Sequence, residues 1–172
     1  MKLLDGNIIL CGFMGSGKST VGRLLAKKTG LLLIDTDKFI EQEAGTTIAE
    51  IFRVSGEAYF RDLEHQAVAS LSQTTGKLIS VGGGTLLDKR NVDILKKSGK
   101  IVLLDASLPK IMNRLEGDTT RPLLNHPNRN ETITRLFSAR MPIYRTAADF
   151  TIDADASLDD VCEEIMKTFD LY

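Results

Sequence analysis

Asn7-Ile8-Ile9-Leu10-Cys11-Gly12-Phe13-Met14-Gly15-Ser16-Gly17-Lys18-Ser19-Thr20 is the stretch on which the reading of the whole chain turns. Its first five residues form an apolar run of strand character that stops at Gly12, and helical periodicity begins at Lys18. Gly12, Gly17, Lys18 and Ser19 satisfy the pattern G-x-x-x-x-G-K-[ST] in the strand-to-helix setting that gives the pattern meaning. Its three glycines let the backbone fold so tightly that successive N–H groups face phosphate oxygens, and the following helix adds its positive end. Lys18 is placed to reach β- and γ-phosphates, and the Ser19 hydroxyl to ligate Mg²⁺. Gly15, Ser16, Gly17, Lys18, Ser19 and Thr20 are therefore the candidate ATP-binding residues. A glycine-rich turn before an ordinary helix would account for Gly12 and Gly17, but not for a Lys-Ser pair at this offset.

The rest of the chain bounds this reading. At 172 residues it fits one domain, 1–172, large enough for a real core but not for two. Its 22 basic and 23 acidic residues nearly cancel, so no global field draws it to nucleic acid or to an anionic membrane, and any anion site is local. Cys11 and Cys162 show no metal-ligand spacing with each other or with His65 and His126, and read as reduced, buried thiols. The apolar stretch at the start is too short for a secretory signal, and no later run approaches the ~18 apolar residues of a membrane span. A cytoplasmic protein is expected, and a monomer, since no heptad seam or long apolar surface helix is present.

Strand-like runs at 7–11, 31–35, 78–81, 100–105 and 150–152 alternate with helical periodicity at 18–29, 37–44, 57–71, 91–97, 107–115, 131–139 and 159–169. Several runs are apolar throughout, as in strands covered on both faces. The alternation predicts a five-stranded parallel sheet between two layers of helices. Two stretches interrupt it. Residues 36–63 hold several helical pieces, with a capping box at Thr47-Ile48-Ala49-Glu50 and a break at Ser55-Gly56, and read as a helical insertion. Residues 116–130, EGDTTRPLLNHPNRN, are rich in turn formers and read as a mobile lid.

The second strand ends in Asp35-Thr36-Asp37 at the sheet edge where the phosphate loop also lies, the edge at which open α/β sheets bind ligands. Asp35 is a candidate to hold Mg²⁺ through water. Asp37 either takes acceptor hydroxyls or merely caps the next helix. Arg61 and Glu64 share one helix face, as a held guanidinium or as a surface ion pair. Gly82-Gly83-Gly84 reads as a close ligand approach or as a plain turn, and Arg121 as a phosphate ligand or as an exposed loop arginine. His65 and His126 have no place in this chemistry. The absence of N-K-x-D and D-x-x-G motifs favours a phosphotransferase over a nucleotide switch.

GFMGSGKST, Asp-Thr-Asp, the run from Ile51-Phe52 through Gly56-Glu57-Ala58-Tyr59-Phe60-Arg61-Asp62-Leu63-Glu64, Val81-Gly82-Gly83-Gly84, Arg121-Pro122-Leu123-Leu124 and Arg140-x-Pro142-x-Tyr144 occur in that order, and together they resemble the shikimate kinases. The resemblance covers nearly the whole chain. It implies a three-layer α/β/α P-loop kinase fold, with ATP and shikimate as substrates and Mg²⁺ as cofactor. It also implies that Asp37, Arg61, Gly83 and Arg140 bind shikimate. Arg121 would then swing onto the ATP phosphates as the lid closes. Lys18, Asp37 and Arg121 are the candidate catalytic residues, and Ser19 and Asp35 the metal residues. Ser80 stands where this family departs from a Walker-B aspartate. Two alternatives stay open: a related kinase acting on gluconate or nucleoside monophosphates, and a regulatory nucleotide-binding module without catalysis. The segment 153–156 is a positional guess for the adenine pocket.

Overall fold

The computed structural model describes residues 5–121 and 124–172, so Pro122 and Leu123 of the lid stretch and the first four residues lie outside the described residues. Five strands, β1 (Asn7–Cys11), β2 (Leu32–Asp35), β3 (Lys77–Ser80), β4 (Gly99–Asp105) and β5 (Phe150–Asp153), form one sheet in the order β2-β3-β1-β4-β5. Every pairing is parallel. Seven α-helices connect or follow them among the described residues: α1 (Lys18–Thr29), α2 (Thr36–Ala44), α3 (Ile48–Leu71), α4 (Lys89–Ser98), α5 (Leu108–Leu115), α6 (Arg129–Ala147) and α7 (Leu158–Phe169).

β1 is buried along its whole length, because β3 and β4 cover its edges and helices cover its faces. The expectation of continuous apolar burial holds for this central part and fails at the rims. Leu32 on β2 is 62% exposed and Phe150 on β5 is 38% exposed, since an edge strand lacks a neighbour on one side. The path from β1 out to β2 runs in the opposite sense to the later crossovers. Right-handed connections therefore put α1 on one face of the sheet and α3 and α4 on the other. α7 returns to pack on α1, and α3 packs on α4.

Most elements match their sequence reading to within two residues. α6 does not: it runs through Pro142 to Ala147, where periodicity suggested an end at 139. Ile133, Met141, Tyr144 and Ala147 are buried along one side, and that packing outweighs the hydrogen bond lost at proline. The break at Ser55-Gly56 is a kink inside α3, with Gly56 at φ 81°. Beyond it the helix continues past residue 63, bringing Val68 and Leu71 into the main core, while Ile40, Ile51, Phe60 and Ala67 form a small separate cluster between α2 and α3. Only half of the expected capping box forms. Thr47 Oγ1 accepts from Glu50 N at 3.2 Å, but the Glu50 carboxylate turns to Arg53.

The start of the sheet rests on a buried polar side chain. Asn7, 1% exposed, donates from Nδ2 to Thr74 O at 2.8 Å and accepts at Oδ1 from Lys77 N at 3.0 Å. It ties β1 to the turn that feeds β3. Asn7→Ala leaves both backbone groups without this partner and is expected to lower unfolding free energy by about 2 kcal/mol. Urea denaturation measures this, with kcat unchanged because Asn7 lies at the end of the sheet opposite the cleft described below.

Candidate active site

Three neighbouring strands deliver their C-terminal ends to one edge. β2 ends in Asp35-Thr36-Asp37, β3 leads into Val81 and the glycine turn 82–84, and β1 into the loop 12–17; the register aligns Asp35 with Ser80 and Ser80 with Leu10. These segments line a cleft of about 500 Å³, together with Phe52, Phe60, Arg61 and Glu64 from α3, Arg114 from α5, Arg121, and Arg140 from α6. All the candidate site residues named from the sequence line it, Thr20, Ser19 and Gly83 included.

The loop after β1 is tight. Gly15 and Gly17 adopt φ of 76° and 94°, a region other residues rarely occupy, and a Cβ on Gly12 would lie 2.6 Å from Ser16 Oγ. Ser16 N donates to Phe13 O at 3.0 Å, and Phe13 is buried edge-on against Phe137 of α6, which pins the loop to the core. Lys18 Nζ donates to Gly12 O at 2.6 Å. Ser16 Oγ is buried and finds no hydrogen-bond partner among the described residues. The loop therefore presents a buried hydroxyl, an ammonium and the N-terminus of α1, a combination that suits phosphate oxygens.

Asp35, not Asp37, caps α2: its Oδ1 accepts from Asp37 N at 2.9 Å and from Lys38 N at 3.2 Å. That leaves Asp37 free of the capping role. The three glycines of the turn form a wall for three different side chains. A Cβ on Gly82 would lie 3.0 Å from Asp37 Oδ1, one on Gly83 would lie 3.4 Å from Arg140 Nη1, and one on Gly84 would overlap the Arg61 guanidinium. The turn is thus a place of close approach. The Arg61 and Glu64 pair is not a plain surface pair. Nη1 donates to Glu64 Oε1 at 2.9 Å, and Glu64 is 1% exposed. Burial would lower the Arg61 pKa, but Glu64 and Glu57 outweigh it and raise it.

Three side chains make contacts in the cleft that the sequence did not signal. Arg114 donates to Gly15 O at 3.1 Å and to Ala154 O at 3.2 Å, joining the phosphate loop to the segment after β5. Arg114 carried no motif, and stands in the last turn of α5. Thr36 Oγ1 also accepts from Gly82 N at 3.2 Å, and the Tyr144 hydroxyl donates to Gly83 O. Arg121 is exposed and pairs with Asp118 at 3.1 Å. The two histidines take ordinary bonds, His65 to Asn91 at 2.8 Å and His126 to Thr132 at 3.1 Å. Both cysteines are buried and free, and burial pushes the Cys11 thiol up to about 12.

Residues 14–170 match the family model described as shikimate kinase. A shikimate kinase of Caldicellulosiruptor saccharolyticus is 46% identical over 149 residues, spanning 87% of this chain and 86% of the relative. One of Geobacter sulfurreducens is 45% identical over 163 residues, spanning 94% and 90%. Among solved structures, shikimate kinase from Acinetobacter baumannii in complex with shikimate superposes with a TM-score of 0.88 at 34% identity, covering 95% of this chain and 92% of that one.

The cleft concentrates charge away from water. Burial pushes Lys18 down to about 8, an effect that Cys11, and to a smaller degree Asp37 and Asp35, only partly offset. Burial, then the Asp35 and Glu64 charges, push Asp37 up from 3.8 to about 6. The folded chain thus holds a proton on Asp37 more tightly than the unfolded chain does. Stability is highest below about pH 4 for this group and is lost as pH rises through about 6, by about 3 kcal/mol as an upper figure. Asp37→Asn, which carries no charge, is expected to raise Tm by several degrees at about pH 8 and by about a third as much near pH 4.5. Thermal melts of the ligand-free protein at the two pH values check this.

Proposed function

The chain belongs to the shikimate kinase family, and we propose that it transfers the γ-phosphoryl group of ATP to the 3-hydroxyl of shikimate, giving shikimate 3-phosphate and ADP. The observation that carries the reading is the meeting, in one cleft, of the phosphate loop with Asp37, Arg61 and Arg140 around the glycine turn. Shikimate has a carboxylate at one end and hydroxyls at the other. Its carboxylate suits the planar donors of Arg61 and Arg140, which lean on Gly84 and Gly83. Its reacting hydroxyl suits Asp37, on the Gly82 side of the same turn.

Because the transition state for phosphoryl transfer is largely loose, alignment and charge neutralisation contribute most of the rate. Lys18 exchanges its bond to Gly12 O for phosphate oxygens, whose charge holds its proton more firmly. Arg121 exchanges Asp118 for the same phosphates. Ser16 Oγ gains the partner it otherwise lacks. Magnesium fits the donors at hand: Ser19 and Asp35 offer hard oxygens, and no cluster of three or more His, Cys, Asp or Glu among the described residues forms a cage of its own, as expected for an ion shared with nucleotide phosphates. When bound, it supplies further neutralisation of phosphate charge. Asp37 accepts the hydrogen bond of the attacking hydroxyl and orients it; the loose transition state asks for little early deprotonation. Residues 36–63 serve as the acceptor-binding insertion and 116–130 as the lid. The reading includes a cytoplasmic monomer acting in aromatic amino-acid biosynthesis; among the described residues no helix is long and apolar enough to cross a membrane.

A coupled ADP-release assay with MgATP and a panel of acceptors tests the assignment. Release with shikimate is expected; release with gluconate or a nucleoside monophosphate but not with shikimate would overturn it. Asp37→Asn should lower kcat by roughly 10²–10⁴ with ATP binding nearly intact. In the wild type, kcat/KM for shikimate should rise with pH through about 6, as Asp37 ionises. Arg61→Lys keeps the charge but loses the paired donors, and the KM for shikimate should increase roughly tenfold.

A further inference from the structure

The three side chains assigned to the acceptor stand on three different helices, Asp37 on α2, Arg61 on α3 and Arg140 on α6. α2 and α3 share a small apolar cluster, α3 also enters the main core through Val68 and Leu71, and α6 rests on that core. Each helix, however, also carries a polar side chain bonded directionally to the turn that follows β3. Thr36 Oγ1 on α2 accepts from Gly82 N at 3.2 Å. Glu64 Oε2 on α3 accepts from Thr85 Oγ1 at 2.8 Å. Tyr144 on α6 donates its hydroxyl to Gly83 O.

The anchors sit beside the groups they would position. Thr36 directly precedes Asp37, Glu64 follows Arg61 by three residues, and Tyr144 follows Arg140 by four, so each pair shares a helix face or a first turn. All are buried: Thr36 and Thr85 are 0% exposed and Tyr144 is 1% exposed. Burial pushes the Tyr144 phenol above its usual pKa, which keeps its proton available to Gly83 O. Behind the turn, Asn91 Nδ2 donates to Thr85 O at 3.0 Å, and the Asn91 side chain meets His65 Nδ1 at 2.8 Å, so the turn is held from a fourth side.

We propose that Thr36, Thr85 and Tyr144 are positioning residues, a three-point clamp that references the acceptor-binding groups of α2, α3 and α6 to one rigid glycine turn. The proposal rests on the shikimate reading above and deepens it. Without the clamp, each helix keeps its packing but its binding group loses a fixed distance to the other two. The alternative is that these bonds do no more than satisfy buried polar groups. The two differ in which substrate notices their loss, because the bonds of the phosphate loop run to Phe13 O, Gly12 O and Arg114, and none of these is a clamp residue.

Thr36→Val, Thr85→Val and Tyr144→Phe keep the shape of each side chain and remove its bond. In the ADP-release assay each should raise the KM for shikimate by about tenfold, with the KM for ATP within about twofold of wild type. Thr36→Ser and Thr85→Ser, which keep the hydroxyl, should restore the wild-type KM. A lowered Tm with unchanged shikimate KM, or parallel increases in both KM values, overturns the clamp, as does failure of the serine variants to rescue. Should one valine variant not fold, Tyr144→Phe decides alone. A wild-type enzyme that shows no turnover with shikimate overturns the functional reading and the clamp with it, and this control separates that failure from a failure of the anchors.

Discussion

The rest of the structure depends on the burial of β1 on both edges and both faces. A strand so enclosed must be apolar throughout and must satisfy its backbone in the sheet, and here it does so with β3 and β4, both parallel to it. Parallel pairing brings every strand's C-terminal end to the same edge. The loop after β1 therefore opens beside the turn after β3, and β2, one strand further out, ends beside that turn. The proposed phosphate cradle and acceptor site become neighbours without any long excursion of the chain.

The cleft made in this way is electrostatically expensive. Lys18 sits where burial opposes its charge, and Asp37 shares its surroundings with Asp35 and Glu64. Both charges therefore work against the stability of the fold. The glycine turn 82–84 suits such a place because it brings no side chains of its own. Three charged groups can rest against its backbone, and helices α2, α3 and α6 can bond to it.

Arg61 and Glu64 show how the helical insertion joins this arrangement. Glu64 is buried by the packing of α3 against the turn, and its two oxygens serve Arg61 and Thr85 separately. A carboxylate in that position stays satisfied only while both partners hold their places. The kink at Gly56 lets the preceding segment of α3 pack with α2, while the following segment runs down to the sheet.

By itself the sequence determined the nature of the elements and the chemistry of the main groups. The phosphate loop, the five strands and most helix limits are legible because they rest on local patterns: glycine spacing, apolar runs, the 3.6-residue period and cap residues. Asp37, Arg61, Gly83 and Arg140 were legible only as members of an ordered set of motifs, each ambiguous alone. Only the tertiary structure decided the strand order, the exposure of Leu32 and Phe150 at the rims, the continuation of α6 through Pro142, and the choice of Asp35 as the cap of α2. It also decided that Arg114 spans from Gly15 to Ala154, and that Thr36 and Tyr144 reach the glycine turn. Most of these are contacts between residues far apart in the chain, or consequences of which strand has a neighbour. Periodicity and spacing carry no record of them, because their energy exists only once distant segments are packed together.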